Sequence, residues 1–138
     1  MKVGRLNHIG IATPDIAATR DTYGALYGLD NVTDIKDFPQ LGVKVCFVNT
    51  GNTELELLEP LGPESPVNKF LEKNPKGGQH HLCFEVADII AARDAMQASG
   101  ATILGTGEPY IGAHGVPVVF VHPRDTHGVL VELMQEPR

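Results

Sequence analysis

No apolar run in this chain approaches the length that spans a bilayer, and the opening Met-Lys-Val-Gly-Arg-Leu-Asn-His contains no apolar signal segment. A membrane or secreted protein is therefore not expected, and the cytoplasm is the expected compartment. Basic residues are also scarce. There are 11 Lys and Arg against 17 Asp and Glu, a net charge of −6, which argues against nucleic-acid binding because phosphates require clustered cations. Cysteine is limited to Cys46 and Cys83, which form no CxxC pair. Each lies in an apolar, strand-like run, which predicts a buried reduced side chain rather than a disulfide or metal clip.

The chain has 138 residues, 42% of them hydrophobic, enough for one compact domain or two small modules that share a core. Six histidines are the unusual stock. Shifting the sequence by 73 positions (81 − 8) lays His8-Ile-Gly-Ile-Ala-Thr-Pro-Asp15-Ile16 over His81-Leu-Cys-Phe-Glu-Val-Ala-Asp88-Ile89. Ala18 then falls on Ala91, Arg20 on Arg93 and Asp21 on Asp94. Two copies are too few for a solenoid and predict two related modules packed together.

Each copy begins with a strand, Leu6–Ala12 or Gln79–Val86, followed by an acidic helix start at Asp15 or Asp88. Ile16, Tyr23, Leu26 and Tyr27 form one apolar helical stripe; Ile89, Ala92 and Met96 form the other. Gly28 and Gly100 are natural stops. Three strand-like runs follow each helix, near Leu29–Ile35, Val43–Asn49 and Thr53–Leu58, then near Thr102–Thr106, Val116–Val121 and Val129–Met134. Gly51-Asn52 is a turn signal. The predicted pattern is βαβββ twice, an α+β fold, with one module at about 4–60, a linker at about 61–77 that includes a short helix around 67–73, and a second module at about 78–136.

Strand alternation sorts the candidate ligands. Ile9 and Ile11 suit the face under the helix, which leaves His8 on the other; Leu82, Phe84 and Val86 likewise leave His81, Cys83 and Glu85 opposite. In the last strand of each copy, Glu54 and Glu56 oppose Leu55 and Leu57, and Glu132 opposes Val131 and Leu133. A carboxylate among apolar strand residues is costly to bury unless it is paired or binds a cation. The separations agree, at 48 residues from His8 to Glu56 (56 − 8) and 51 from His81 to Glu132 (132 − 81). Two imidazoles and two carboxylates suit a divalent cation if the modules face each other. Strand parity alone does not choose between Glu54 and Glu56.

Several segments together resemble the methylmalonyl-CoA epimerase branch of the vicinal oxygen chelate (glyoxalase) superfamily. They are Leu6-Asn-His-Ile-Gly-Ile-Ala, Leu55-Glu-Leu-Leu-Glu-Pro-Leu61, Ser65-Pro-Val-Asn-Lys-Phe-Leu-Glu-Lys73, Gly78-Gln-His-His-Leu82, Ile111-Gly-Ala-His-Gly115, His122-Pro-Arg and Gly128-Val-Leu-Val-Glu-Leu133. They run in order over nearly the whole chain. The resemblance implies paired βαβββ modules in a half-open, mostly antiparallel β-barrel around a metal site. It implies metal ligands at His8, Glu56, His81 (not the adjacent His80) and Glu132. One relative carries Gln at the position matching Glu56, which makes Glu56 the weakest of the four ligands.

The activity the resemblance implies is interconversion of (2R)- and (2S)-methylmalonyl-CoA by removal and return of the C2 proton, with ethylmalonyl-CoA, one methylene larger, as the alternative substrate. The partner is an acyl-CoA, the expected assembly a homodimer, and the cofactor a divalent ion, Co2+ first with Zn2+, Mn2+ or Ni2+ as alternatives. Glu132 is the first candidate base. Some relatives carry a second Glu where this chain has Val45, beside Lys44, so water, His114 or Glu59 is left for that role. His114, in the Gly-Ala-His-Gly loop, is also a candidate substrate contact. His122 before Pro123 is expected to cap a strand end and His127 to sit in a surface turn. Lys69, Lys73, Lys76 and Arg124 are the cations available to coenzyme A phosphates, although scattered lysines are usually solvated surface. The rival readings are a glyoxalase I-type lactoylglutathione lyase, and a non-enzymatic small-molecule-binding member of the superfamily. An iron extradiol dioxygenase, with two His and one carboxylate, is disfavoured by the second glutamate.

Overall fold

The computed structural model describes residues 1–28 and 30–137. The elements are β1 (Leu6–Ala12), α1 (Ile16–Tyr27), β2 (Lys36–Phe38), β3 (Val43–Asn49), β4 (Glu54–Pro60), α2 (Asn68–Lys73), β5 (Gly78–Val86), α3 (Ile89–Ala98), β6 (Tyr110–Ile111), β7 (Pro117–Val121) and β8 (Val131–Gln135). The βαβββ pattern therefore occurs twice, with α2 between the copies. The chain divides into two compact units, residues 8–80 and residues 1–7 with 81 onward. No helix among the described residues is long and apolar enough to cross a membrane.

In the first unit the strand order is β2-β3-β4-β1. β1 and β4 are parallel, and the other two pairings are antiparallel. Asp15 caps α1 by accepting from the Ala18 N–H at 3.1 Å, as its sequence position predicts. Ile11, Ile16, Cys46, Val48 and Leu57 are buried together under the helix, with Ile9, Tyr23 and Leu55 against them. Alternation along β1 and β4 thus falls as expected. The helical stripe is shorter than expected, because Leu26 is 73% and Tyr27 55% exposed. At 3.6 residues per turn Leu26 lies roughly 80° round the helix from Ile16, and the Tyr27 ring leans on Tyr23 rather than entering the core. The turn at Gly51-Asn52 closes by a Thr50 N–H bond to the Thr53 carbonyl at 3.0 Å.

The strand expected at Leu29–Ile35 is reduced to a single bridge, Val32 to Val48; Leu29 lies outside the described residues. Thr33 explains the interruption. Its hydroxyl takes the Phe47 N–H at 2.8 Å, a donor that a regular ladder would give to a backbone carbonyl. Regular pairing resumes only at β2.

The second unit repeats the plan with order β5-β8-β7-β6, β5 and β8 being parallel. Asp88 caps α3 by accepting from the Ile90 and Ala91 N–H groups. Val86, Ile89, Ala92, Ile103, Val119, Val121 and Leu133 form the core beneath it. On the other face Cys83, Val118 and Met134 cluster. The strand expected at Thr102–Thr106 is only a bridge from Ile103 to Val121, and the pairing strand is Tyr110–Ile111. Gly105 and Gly107 turn the chain out of the ladder between them, with backbone in the left-handed region.

Candidate functional site

His8 lies on β1 two residues before Gly10, whose register partner on β4 is Glu56. Because i and i+2 share a strand face, the imidazole and the carboxylate project to the same side. His8 Nε2 is 3.4 Å from Glu56 Oε1, and both side chains are buried. Glu54, the register partner of His8 itself, is half-buried, whereas Glu56 is buried with its carboxylate beside His8.

His81 lies on β5 two residues before Cys83, whose register partner on β8 is Glu132. Its Nε2 is 3.1 Å from Glu132 Oε1, again with both residues buried. The two pairs thus arise from one rule of register although their sequence separations differ by three residues (51 − 48). An aromatic stands opposite each carboxylate, Phe47 to Glu56 and Phe120 to Glu132, and the Phe120 ring meets the His81 ring edge-on at 5.4 Å. His80 points elsewhere, with its ring edge-on to Phe70 at 5.3 Å.

The donor chemistry fits a divalent cation. Each pair is one imidazole nitrogen and one carboxylate oxygen, a contact that is an ion pair only if the histidine is protonated. Two ligand atoms each ~2.1 Å from a shared ion at a right angle lie ~3.0 Å apart, close to both separations. Carboxylates buried to this depth are stable only with charged or hydrogen-bonding partners.

His114 is half-buried in the turn Gly112–Gly115, closed by a Gly115 N–H bond to the Gly112 carbonyl at 3.0 Å. That turn lies against the site. A Cβ placed on Gly112 would be 3.8 Å from Glu132 Oε2 and 3.2 Å from Val118, so glycine lets the loop approach the carboxylate. Val45, in the place of a second glutamate, is buried opposite Leu58. Glu59 belongs to the other face of β4. Its Oε1 accepts from the Ile16 N–H at 3.0 Å and its Oε2 is 3.7 Å from Lys44 Nζ, so it is engaged at the start of α1.

His122 Nδ1 accepts from the Arg124 N–H at 3.1 Å, capping a short 3-10 turn, and His127 is an exposed turn residue. Arg124 donates to the Thr102 hydroxyl at 2.7 Å, while Lys69, Lys73 and Lys76 are exposed. Burial pushes the Cys46 thiol up to about 11, which suits a core residue and no nucleophile. Sequence reasoning noted Glu85 only as a face-mate of His81. Its engagement by Asn7 and Arg5 depends on a contact 78 residues apart that no local pattern carries.

Residues 7–120 match the family model of the glyoxalase/bleomycin resistance protein/dioxygenase superfamily. The chain is 54% identical over 137 residues to a Cereibacter sphaeroides protein named ethylmalonyl-CoA/methylmalonyl-CoA epimerase, covering 96% of this chain and 98% of the relative. The chain belongs to the methylmalonyl-CoA epimerase family of this superfamily. The human mitochondrial methylmalonyl-CoA epimerase is 48% identical over 133 residues, covering 96% of this chain and 74% of that protein. Among solved structures, Streptomyces coelicolor methylmalonyl-CoA epimerase in complex with 2-nitronate-propionyl-CoA superposes with a TM-score of 0.88 at 35% identity, covering 99% of this chain and 100% of that one. The expected α+β fold of paired βαβββ modules is thus the fold of this epimerase family, and the His/Glu pairs stand on its first and last module strands.

Proposed function

We propose that this chain is an epimerase that interconverts the 2R and 2S forms of methylmalonyl-CoA. In this reading His8, Glu56, His81 and Glu132 together hold one divalent ion, each offering one ligand atom, and Glu132 also takes part in moving the C2 proton. The observation that carries it is the repeated imidazole–carboxylate pair, buried and built at the same register in each copy of the module. One such pair supplies two ligands, too few to hold an ion firmly; two supply four. The reading takes residues 1–138 as one domain of two modules, acting as a cytoplasmic homodimer. Cobalt is the first candidate ion, and zinc, manganese and nickel suit the same nitrogen and oxygen donors.

The C2 proton of the substrate lies between a thioester and a carboxylate and is too weakly acidic to leave quickly unaided. When bound, the divalent ion supplies Lewis-acid stabilisation of the negative charge that grows on oxygen as that proton departs. Each tenfold gain in rate requires about 1.4 kcal/mol of such stabilisation. The chain's own residues do the rest. Glu132 holds a carboxylate oxygen beside His81, and Cys83, Val118 and Met134 pack on that face of the sheet and exclude water. In this reading His114, carried by the Gly112–Gly115 turn whose Gly112 lies against Glu132, contacts the substrate. Return of the proton to the opposite face falls to His114 or a water, since Glu59 is committed to α1.

Proton NMR of methylmalonyl-CoA in deuterated buffer tests this reading. Metal-loaded protein should erase the C2 proton signal rapidly. Chelator-treated protein, Glu132→Ala and His81→Ala should each slow that loss by at least about a hundredfold. Exchange that persists undiminished after complete metal removal would overturn the metal-assisted mechanism. Turnover of a glutathione hemithioacetal without C2 exchange would transfer the chain to the lyases, and sedimentation equilibrium checks the dimer.

A further inference from the structure

Asn7, the residue just before His8 in β1, turns to the opposite face and bonds to Glu85: its Nδ2 donates to Glu85 Oε2 at 2.8 Å. Arg5 Nη1 lies 3.3 Å from the same oxygen. Asn7 and Glu85 are both more than nine-tenths buried, whereas the arginine side chain is mostly exposed. The backbone reinforces the contact. Gly4 N–H donates to the Glu85 carbonyl at 2.7 Å, and Glu85 N–H donates to the Arg5 carbonyl at 3.0 Å. Two residues thus face one, the count of a β-bulge, which sets a strand's register against its neighbour. Gly4 permits the approach, since a Cβ there would come within 3.1 Å of the Glu85 carbonyl oxygen.

Apolar side chains would hold this segment as firmly at lower desolvation cost. A directional hydrogen bond from a buried amide to a buried carboxylate adds something apolar packing lacks: it is satisfied in one register only. A slip of one residue in a strand turns every side chain to the opposite face. For β1 such a slip would carry His8 away from Glu56, because Asn7 and His8 are consecutive in the strand and cannot shift independently. Glu85 is four residues after His81 in β5 and on the same strand face. The segment that precedes one candidate ligand is therefore tied to the strand that bears another.

We propose that the Asn7–Glu85 hydrogen bond, assisted by Arg5, is a register latch that positions His8 for metal binding. Asn7 and Glu85 are positioning residues and touch neither metal nor substrate. The proposal rests on the metal reading above, and its test separates the two.

Metal affinity is measured by competition with a chromophoric chelator, and ligand geometry by the visible absorption of the cobalt-loaded protein. Asn7→Ala should weaken cobalt binding about tenfold and shift the visible bands, with the far-UV circular dichroism of the metal-free protein unchanged. Asn7→Asp, which sets two carboxylates together, should do at least as much. Adding Glu85→Gln to Asn7→Asp exchanges donor and acceptor and should restore both affinity and spectrum, which a general loss of folding would not allow. Wild-type affinity and spectrum in Asn7→Ala and Asn7→Asp, or failure of the N7D/E85Q pair to recover, would overturn the latch while leaving the metal site standing. A wild-type protein that binds no divalent ion would overturn both.

Discussion

Glu56 and Glu59 stand three residues apart on β4 and face opposite sides of the sheet. Glu56 meets a histidine, whereas Glu59 meets the first N–H of a helix and a lysine. Their chemistry is the same, and their roles are set by parity. Glu59→Gln is accordingly expected to lower stability by about 1 kcal/mol, the usual worth of a helix-start acceptor, and to leave the C2 exchange rate per folded molecule unchanged. Chemical denaturation alongside the NMR exchange assay checks both halves, and a hundredfold loss of exchange would return Glu59 to the acid–base chemistry. Parity also made His8 and His81 legible as outward-facing residues from the sequence. It could not choose between Glu54 and Glu56, since two residues on one face differ only in register, which is a property of the neighbouring strand.

The helix starts were plain in the chain, because an Asp cap acts on N–H groups two and three residues onward, at Asp15 for α1 and Asp88 for α3. The weak strands were less plain. Thr33 diverts a ladder donor with its hydroxyl, and Gly105 and Gly107 bend the chain aside, so the expected runs at 29–35 and 102–106 shrink to single bridges. The linker has its own constraint. A Cβ on Gly77 would lie 2.4 Å from the Ala12 carbonyl oxygen, with φ at +94°. Gly77→Ala should therefore cost roughly 2 kcal/mol or more, read as a lowered urea midpoint. Gly51→Ala, also at positive φ but in open space, should cost about half as much. Equal losses would mean that backbone conformation alone, and not the approach to β1, governs Gly77.

For the folded chain, the proposed ion links stability to metal supply. A ligand that binds only the native state at a hundredfold excess over its Kd stabilises it by about 2.7 kcal/mol. For a chain of this size that is roughly 5–10 °C in Tm. Removal of metal by a chelator, followed by dialysis, should lower Tm by that amount, and stoichiometric cobalt should restore it in differential scanning calorimetry. The same titration on His8→Ala and His81→Ala should yield little or no recovery. A Tm indifferent to cobalt in the unmodified protein would argue against four shared ligands.

The repeat at an offset of 73 residues, the period-two alternation that turns His8 and His81 from the apolar layer, and the Asp caps are all properties of short stretches of chain. Each acts over a few residues, so the linear order of amino acids was enough to state them. That Glu56 lies buried beside His8, that Glu59 serves a helix and that Asn7 reaches Glu85 depended on how strands far apart in sequence lie against each other. Register is the balance of many small contacts across a sheet, and no single segment carries it.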